Sequence, residues 1–258
     1  MKDKLTIVKV GGKIVEDAES LSNLLNDFSQ LSGYKVLVHG GGRSATRIAT
    51  RLGIETKMIN GRRITDEDML QVVTMVYGGL VNKNVVAKLQ GLGLNAIGLT
   101  GADMDVIRSD KRPVREIDYG FAGDVKSVNG EILAMLIKKN IIPVMAPLTH
   151  DGMGHMLNTN ADTIAAEIAK SLAKYFDVTL TYCFDRKGVL RDENDENSVI
   201  NLIDPVIYKK LKEDGVVCGG MLPKMDNAFS AINAGVSQVI ITSSEDLSGK
   251  YATVIKNK

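Results

Sequence analysis

Val36-Leu37-Val38-His39-Gly40-Gly41-Gly42-Arg43-Ser44-Ala45-Thr46-Arg47-Ile48-Ala49 reads as a strand, a bare loop and a helix start. The apolar, β-branched run halts at three glycines, and apolar residues then resume at helical spacing. This order presents free backbone N–H groups at the positive end of a helix dipole, where anions, phosphate above all, are held. Adjacent glycines also let a ligand touch the main chain with no Cβ in the way.

The flanking segments extend the same pattern. Upstream, Leu5-Thr6-Ile7-Val8-Lys9-Val10 is a buried-type strand ending in Gly11-Gly12, and Asp17 to Leu31 carries apolar residues near helical period. Downstream, Asn60-Gly61 marks a hairpin turn between Thr56-Lys57-Met58-Ile59 and Arg62-Arg63-Ile64, and Thr65-Asp66-Glu67-Asp68 caps a helix to about Tyr77. Gly78-Gly79 is expected to break that helix before a second one from about Val81. Strands are expected at Asn95 to Thr100, Ile141 to Ala146, Val178 to Tyr182 and Gln238 to Thr242. Small antiparallel strands are expected within Asp105 to Asn129, and turns through Asp151 to Asn160. Helices are expected over Glu131 to Lys139, Ala161 to Leu172, Asp204 to Asp214 and Met221 to Ala234. The alternation predicts an α/β protein with a largely parallel sheet. It would comprise two lobes of one continuous unit, residues 1–175 and 176–258.

Composition narrows the function. A chain of 258 residues can bury a good core, and Lys+Arg 32 against Asp+Glu 31 leaves no bulk field to recruit nucleic acid or an anionic membrane. Trp is absent, no apolar run approaches a membrane span, and the first residues lead straight into a strand. A cytoplasmic protein with no nucleic-acid or membrane partner is expected. Cys183 and Cys218 lack CxxC spacing and read as reduced thiols; His39, His150 and His155 lack HExxH spacing, so no protein-built metal site is expected.

Four constellations carry chemistry. Lys9, just before Gly11-Gly12, aims an ammonium at the C-terminal edge of a parallel sheet, where ligands of such folds bind. Gly40-x-Gly42-x-x-Ala45 nominally fits a dinucleotide fingerprint. Some twenty residues on, however, stand the basic Arg62-Arg63 in place of an acid, and no GxxxxGK[ST] occurs. Asp162 falls in the first turn of a helix capped by Asn160, a placement that dipole compensation alone explains at a few tenths of a kcal/mol. Lys224 sits early in the helix opened by Gly219-Gly220, against the macrodipole, which a nearby anion explains better than solvent. Together, two lysines, three glycine turns and one acid match phosphoryl transfer, where catalysis is mostly positioning and charge stabilisation.

At this point the residues resemble the amino acid kinase family, and within it the N-acetyl-L-glutamate kinase branch. The resemblance rests on Lys9-x-Gly11-Gly12, His39-Gly40-Gly41-Gly42, Asn60-Gly61-x-Arg63-x-Thr65, Val81-Asn82-Lys83, Asn158-x-Asn160-Ala161-Asp162 and Gly219-Gly220-Met221-x-Pro223-Lys224. It implies a three-layer αβα sandwich and ATP-dependent phosphorylation of the side-chain carboxylate of N-acetyl-L-glutamate in arginine biosynthesis, with Mg²⁺ carried by the nucleotide. By resemblance, Lys9 and Lys224 would stabilise the transferring phosphoryl group and Asp162 would hold both lysines. Gly11, Gly12, Gly41 and Gly42 would bind phosphoryl and substrate oxygens. Arg63 would clamp the α-carboxylate, and Asn158 would hydrogen-bond the substrate. The nucleotide would lie near Phe184, Asp185, Arg186, Gly188, Val189, Gly220 and Met221. A homodimer insensitive to arginine is expected, because the first strand begins at about Leu5 and leaves no room for the N-terminal helix of the hexameric, arginine-inhibited members.

Three positions depart from the family pattern. Arg62 stands where an aliphatic residue is usual, Ala122 where a larger one such as valine is usual, and Arg43-Ser44 replaces an apolar or proline continuation. Arg62 and Ala122 together point either to an acyl group longer than acetyl with its own carboxylate, as in N-succinyl-L-glutamate, or to an Arg62 turned to solvent. Sister kinases of carbamate, aspartate, uridylate or aminoadipate derivatives, and a non-catalytic sensor on the same fold, are the competing readings. Arg63 with the Asn158 motif argues against the first, and intact Lys9, Asp162 and Lys224 against the second.

Overall fold

The computed structural model describes residues 1–59, 61–192, 194–218, 221–247 and 249–257, with the side chain of Pro223 left aside. Its strands are β1 (Lys4–Val10), β2 (Tyr34–His39), β3 (Met58–Ile59), β4 (Arg62–Arg63), β5 (Ala96–Leu99), β6 (Ile107–Lys111), β7 (Gly123–Val128), β8 (Ile142–Met145), β9 (Leu148–His150), β10 (Met156–Asn158), β11 (Asp177–Phe184), β12 (Leu202–Ile203), β13 (Gln238–Ser243) and β14 (Thr253–Ile255). Its α-helices are α1 (Gly12–Glu16), α2 (Ala18–Gln30), α3 (Gly42–Arg51), α4 (Glu67–Val73), α5 (Asn82–Gly91), α6 (Gly130–Lys138), α7 (Ala161–Leu172), α8 (Pro205–Glu213) and α9 (Met221–Asn233).

Eight strands form one sheet in the order β12-β14-β13-β11-β1-β2-β8-β5, parallel throughout except where β13 meets β14. Strand parity then sorts the side chains. Leu5 and Ile7 of β1, Val36 and Val38 of β2, and Val178, Leu180 and Tyr182 of β11 pack with α6, α7 and α9. Val8 and Val10, Leu37 and Cys183 point the other way, into a core shared with α2 and α5. Helices therefore cover both faces, an αβα sandwich. By the same parity Lys9 lies on the α7 face, and His39 on the α5 face.

Helix α7 illustrates how the sequence makes the scaffold. The Asn160 side chain accepts from the N–H groups of Asp162 and Thr163 at 2.8 and 3.1 Å, a cap worth about 1 kcal/mol. Ile164, Ala165, Ile168, Ala169 and Leu172 then recur on one face, and all are buried against the sheet. Burying Leu172 alone contributes roughly 2 kcal/mol.

A smaller sheet, in the order β10-β9-β6-β7, and the β3-β4 hairpin lie over the C-terminal end of the main strands. The hairpin follows the sequence reading, with Ile59 opposite Arg62 and Met58 opposite Arg63; Asn60 itself lies outside the described residues. Two expectations are corrected. Gly78-Gly79 does not break the helix: Thr74–Val81 continues it as a π-helical segment that runs directly into α5. Two glycines cost about 1 kcal/mol each in a helix, less than is gained by burying Val73, Val76, Tyr77 and Val81 on either side of them. The turn-rich stretch from Asp151 to Asn160 contains strand β10, which pairs antiparallel with β9 around the turn at Gly152–Gly154. No helix among the described residues is long and apolar enough to cross a membrane.

Candidate active site

The two glycine loops meet. A Cβ on Gly12 would lie 3.4 and 3.5 Å from the backbone nitrogens of Gly41 and Gly42, and one on Gly40 would lie 3.0 Å from the nitrogen of Gly12. A Cβ on Gly41 would be 2.9 Å from the Tyr77 ring, so glycine is required there by close approach. Neither α1 nor α3 has a side chain capping its first turn, which leaves their leading N–H groups directed at the space between the loops.

Lys9 reaches this space from β1. Its Nζ lies 2.7 Å from Oδ1 of Asp162 at the start of α7, an ion pair in which Lys9 is almost fully buried. Phe184, at the end of β11, lies under both lysines, its ring centre 5.0 Å from Lys9 Nζ and 3.7 Å from Lys224 Nζ. Burial lowers the Lys224 pKa, Asp162 opposes that, and Lys9 lowers it further. Two ammonium groups converging on one carboxylate leave net positive charge beside the glycine N–H groups.

On the far side of Gly42, Arg63 is buried. Its Nη2 donates to the Gly42 carbonyl at 2.7 Å and to Thr46 Oγ1 at 2.9 Å, and its Nη1 to Thr56 Oγ1 at 3.3 Å. Among the described residues no carboxylate stands within ion-pair distance of it, so a buried guanidinium faces neutral acceptors only. Such a charge is costly unless an anion joins it. Asn158 donates to Thr65 Oγ1 at 2.9 Å, and an isolated parallel bridge joins its backbone to that of Ala122.

Two cavities flank this arrangement. One, of about 180 Å³, is lined by Gly40, Gly41, Gly42, Arg62, Arg63, Tyr77, Ala122, Asn158 and neighbours. The other, of about 490 Å³, is lined by Gly11, Gly12, Gly42, Phe184, Asp185, Arg186, Gly188, Met221 and Lys224, among others. Among the described residues Gly42 alone lines both. A larger cavity of about 670 Å³ lies away from the convergence of the lysines and continues the second outward, sharing with it Lys13, Arg43, Phe184, Asp185 and Arg186. Lys13 and Asp185 form an exposed ion pair at 3.2 Å at its edge. The geometry thus offers a long cleft for a polyphosphate ligand and a small anion-seeking chamber, joined at one glycine.

Of the sequence-derived site residues, Val189 alone is drawn elsewhere. It is buried, donates its N–H to Thr253 Oγ1 at 2.8 Å and lines neither cavity. Gly220 lies outside the described residues. Three residues at the site were given no role from sequence. Tyr77 closes on Gly41. His39, wholly buried, engages the Gly40 carbonyl at 2.6 Å through Nδ1, and Asn82 Nδ2 lies 3.1 Å from its Nε2. Asn82 also donates to the Val144 carbonyl at 2.9 Å. Burial pushes the His39 pKa down to about 4, which makes it a neutral strut under the loop. The one available signal was its position, a histidine ending an apolar strand at the glycines.

The comparisons agree with this geometry. The model of the amino acid kinase family matches residues 4–243. The acetylglutamate kinase of Phocaeicola vulgatus is 67% identical over 256 residues, which span 99% of this chain and 100% of that protein. Among solved structures, smu.665 from Streptococcus mutans superposes with a TM-score of 0.79 at 29% identity, covering 98% of this chain and 99% of that one. The Giardia lamblia carbamate kinase bound to AMP-PNP reaches a TM-score of 0.72 at 15% identity, covering 99% of each chain, a likeness of fold alone.

Proposed function

This chain belongs to the amino acid kinase family, and from that membership we propose that it transfers the γ-phosphoryl group of ATP to the side-chain carboxylate of N-acetyl-L-glutamate, in arginine biosynthesis. Gly42, common to the nucleotide-sized cleft and the small chamber, is the observation that carries this reading. It is where a donor phosphate and an acceptor carboxylate, each in its own cavity, come face to face.

In this reading ATP lies along Phe184, Asp185, Arg186, Gly188 and Met221, its terminal phosphates over Gly11 and Gly12. Mg²⁺ enters with the nucleotide and offsets charge on its phosphates. Arg63 takes the α-carboxylate of the acylglutamate, and Asn158 adds a hydrogen bond. The side-chain carboxylate, directed at Gly41 and Gly42, attacks the γ-phosphorus in line. A P–O bond forms as the bond to the ADP oxygen breaks, which leaves an acyl phosphate and ADP. Negative charge spreads over the equatorial oxygens in the transition state. Lys9 and Lys224 meet it with fixed ammonium groups, and the glycine N–H groups with oriented dipoles. Asp162 positions Lys9 without neutralising both lysines.

A sensor needs a binding cleft but no pair of cations aimed at the junction of two cavities, so this convergence favours catalysis. Coupled ADP release with N-acetyl-L-glutamate, with the acyl phosphate trapped by hydroxylamine, tests the reading. Nucleotide binding without acylglutamate-dependent ADP release would overturn it. We also infer a homodimer in the cytoplasm, and a hexamer by light scattering would contradict the dimer.

A further inference from the structure

Resting on the kinase reading above, we propose that the acyl end of the chamber favours, over acetyl, an acyl group that carries a carboxylate of its own, received by Arg62. The chamber places Arg62 and Arg63 on the same wall, yet they serve opposite ends. Arg63 is buried beside Gly42 and matches the one α-carboxylate of any acylglutamate. Arg62 is half-buried, and among the described residues no carboxylate lies within ion-pair distance of it. Burial lowers its pKa and the charge of Arg112 lowers it further, with Asp124 and the Tyr119 phenol opposing.

Arg112 is already fixed. Its Nη2 pairs with Asp124, its guanidinium lies 5.5 Å from the centre of the Tyr119 ring, and its backbone N–H donates to the Ala122 carbonyl at 2.8 Å. Its Nε is buried without an acceptor. The one carboxylate near Arg62 is thus already taken by Arg112, which leaves Arg62 at the chamber wall without an ion-pair partner among the described residues. An acetyl methyl at this end would desolvate Arg62 and return nothing. A carboxylate there would take a charge-assisted, potentially bidentate bond from a planar fork. Ala122, small and buried on the same wall, leaves room for the longer chain. The matching chemical class is a glutamate acylated by a short dicarboxylic acid, and succinyl is the probe.

Steady-state ADP release with N-acetyl-, N-butyryl- and N-succinyl-L-glutamate tests this, because butyryl matches succinyl in carbon number without its charge. We expect kcat/KM to be highest for the succinyl compound, by about ten-fold or more over both neutral ones. Arg62→Leu should lower the succinyl-to-acetyl ratio by about ten- to a hundred-fold. Arg62→Lys, which keeps the charge and loses the fork, should fall between. Ala122→Val should shift the ratio the same way by narrowing the wall. Equal or higher kcat/KM for acetyl, or a ratio unmoved by Arg62→Leu, would overturn the proposal and leave the kinase intact. No ADP release with any acylglutamate would overturn the kinase reading itself and this proposal with it.

Discussion

The ammonium of Lys224 lies 3.7 Å from the centre of the Phe184 ring, the same ring that Lys9 approaches to 5.0 Å. A polarised π face helps to hold a cation, and this one lies under both members of a pair that repel each other. Phe184→Leu keeps the apolar volume and removes the quadrupole. We expect kcat to fall by about two- to thirty-fold, the range of one to two such contacts. A rise in KM for ATP with kcat unchanged would show that the ring serves the nucleotide base instead.

Lys9→Met and Lys224→Met are each expected to lower kcat at least about a hundred-fold, as removal of a transition-state donor does. The double variant should lose little more than either single one, because the two act as a unit. Additive losses in single-turnover rates would contradict a shared role.

Gly12→Ala sets a methyl 3.4 and 3.5 Å from the nitrogens of Gly41 and Gly42, in ordinary contact and at a helical position that accepts alanine. The fold should survive with little change in Tm, while the methyl covers the N–H groups between the loops. A loss of kcat of about ten-fold or more, with thermal unfolding near wild type, is the expected signature.

His39 binds a proton near pH 6.5 in the unfolded chain and only near 4 in the fold, chiefly because burial opposes its charge. Between those values the unfolded state holds more protons. The His39 contribution is therefore complete above about pH 6.5 and declines as pH falls toward 4, by roughly 3 kcal/mol at the acid end. Urea unfolding from pH 7 to 4 should show the decline, and His39→Gln should flatten that part of the slope.

Most of the framework was legible because its signals are local. The Asn60-Gly61 turn signal, the Thr65–Asp68 and Asn160 cap readings, and the two strand–glycine–helix junctions each specify their element within a few residues; Asp66 and Asn160 cap their helices in the structure, and Asp204, read only as a helix start, caps a third. The chamber's arginines were legible for a similar reason, since a hairpin turn fixes what sits beside it. What sequence concealed is held by distant partners. Asn82 links His39 to Val144, and Tyr77 closes on Gly41, contacts no spacing rule reaches. Gly78-Gly79 misled because helix propensity speaks of the isolated segment, whereas burial on both sides of it governs the fold. Val189 lies near the right loop but was claimed by the core through Thr253.

That Gly42 alone among the described residues is common to both linings also has a kinetic consequence. In the proposed reading, donor and acceptor take separate chambers whose described linings meet at this residue, so neither would block the doorway of the other. Either product would then be free to depart first, with the order of release set by the two dissociation rates instead of by the architecture. An acyl phosphate is readily hydrolysed, and in this arrangement it would not have to wait behind ADP to leave.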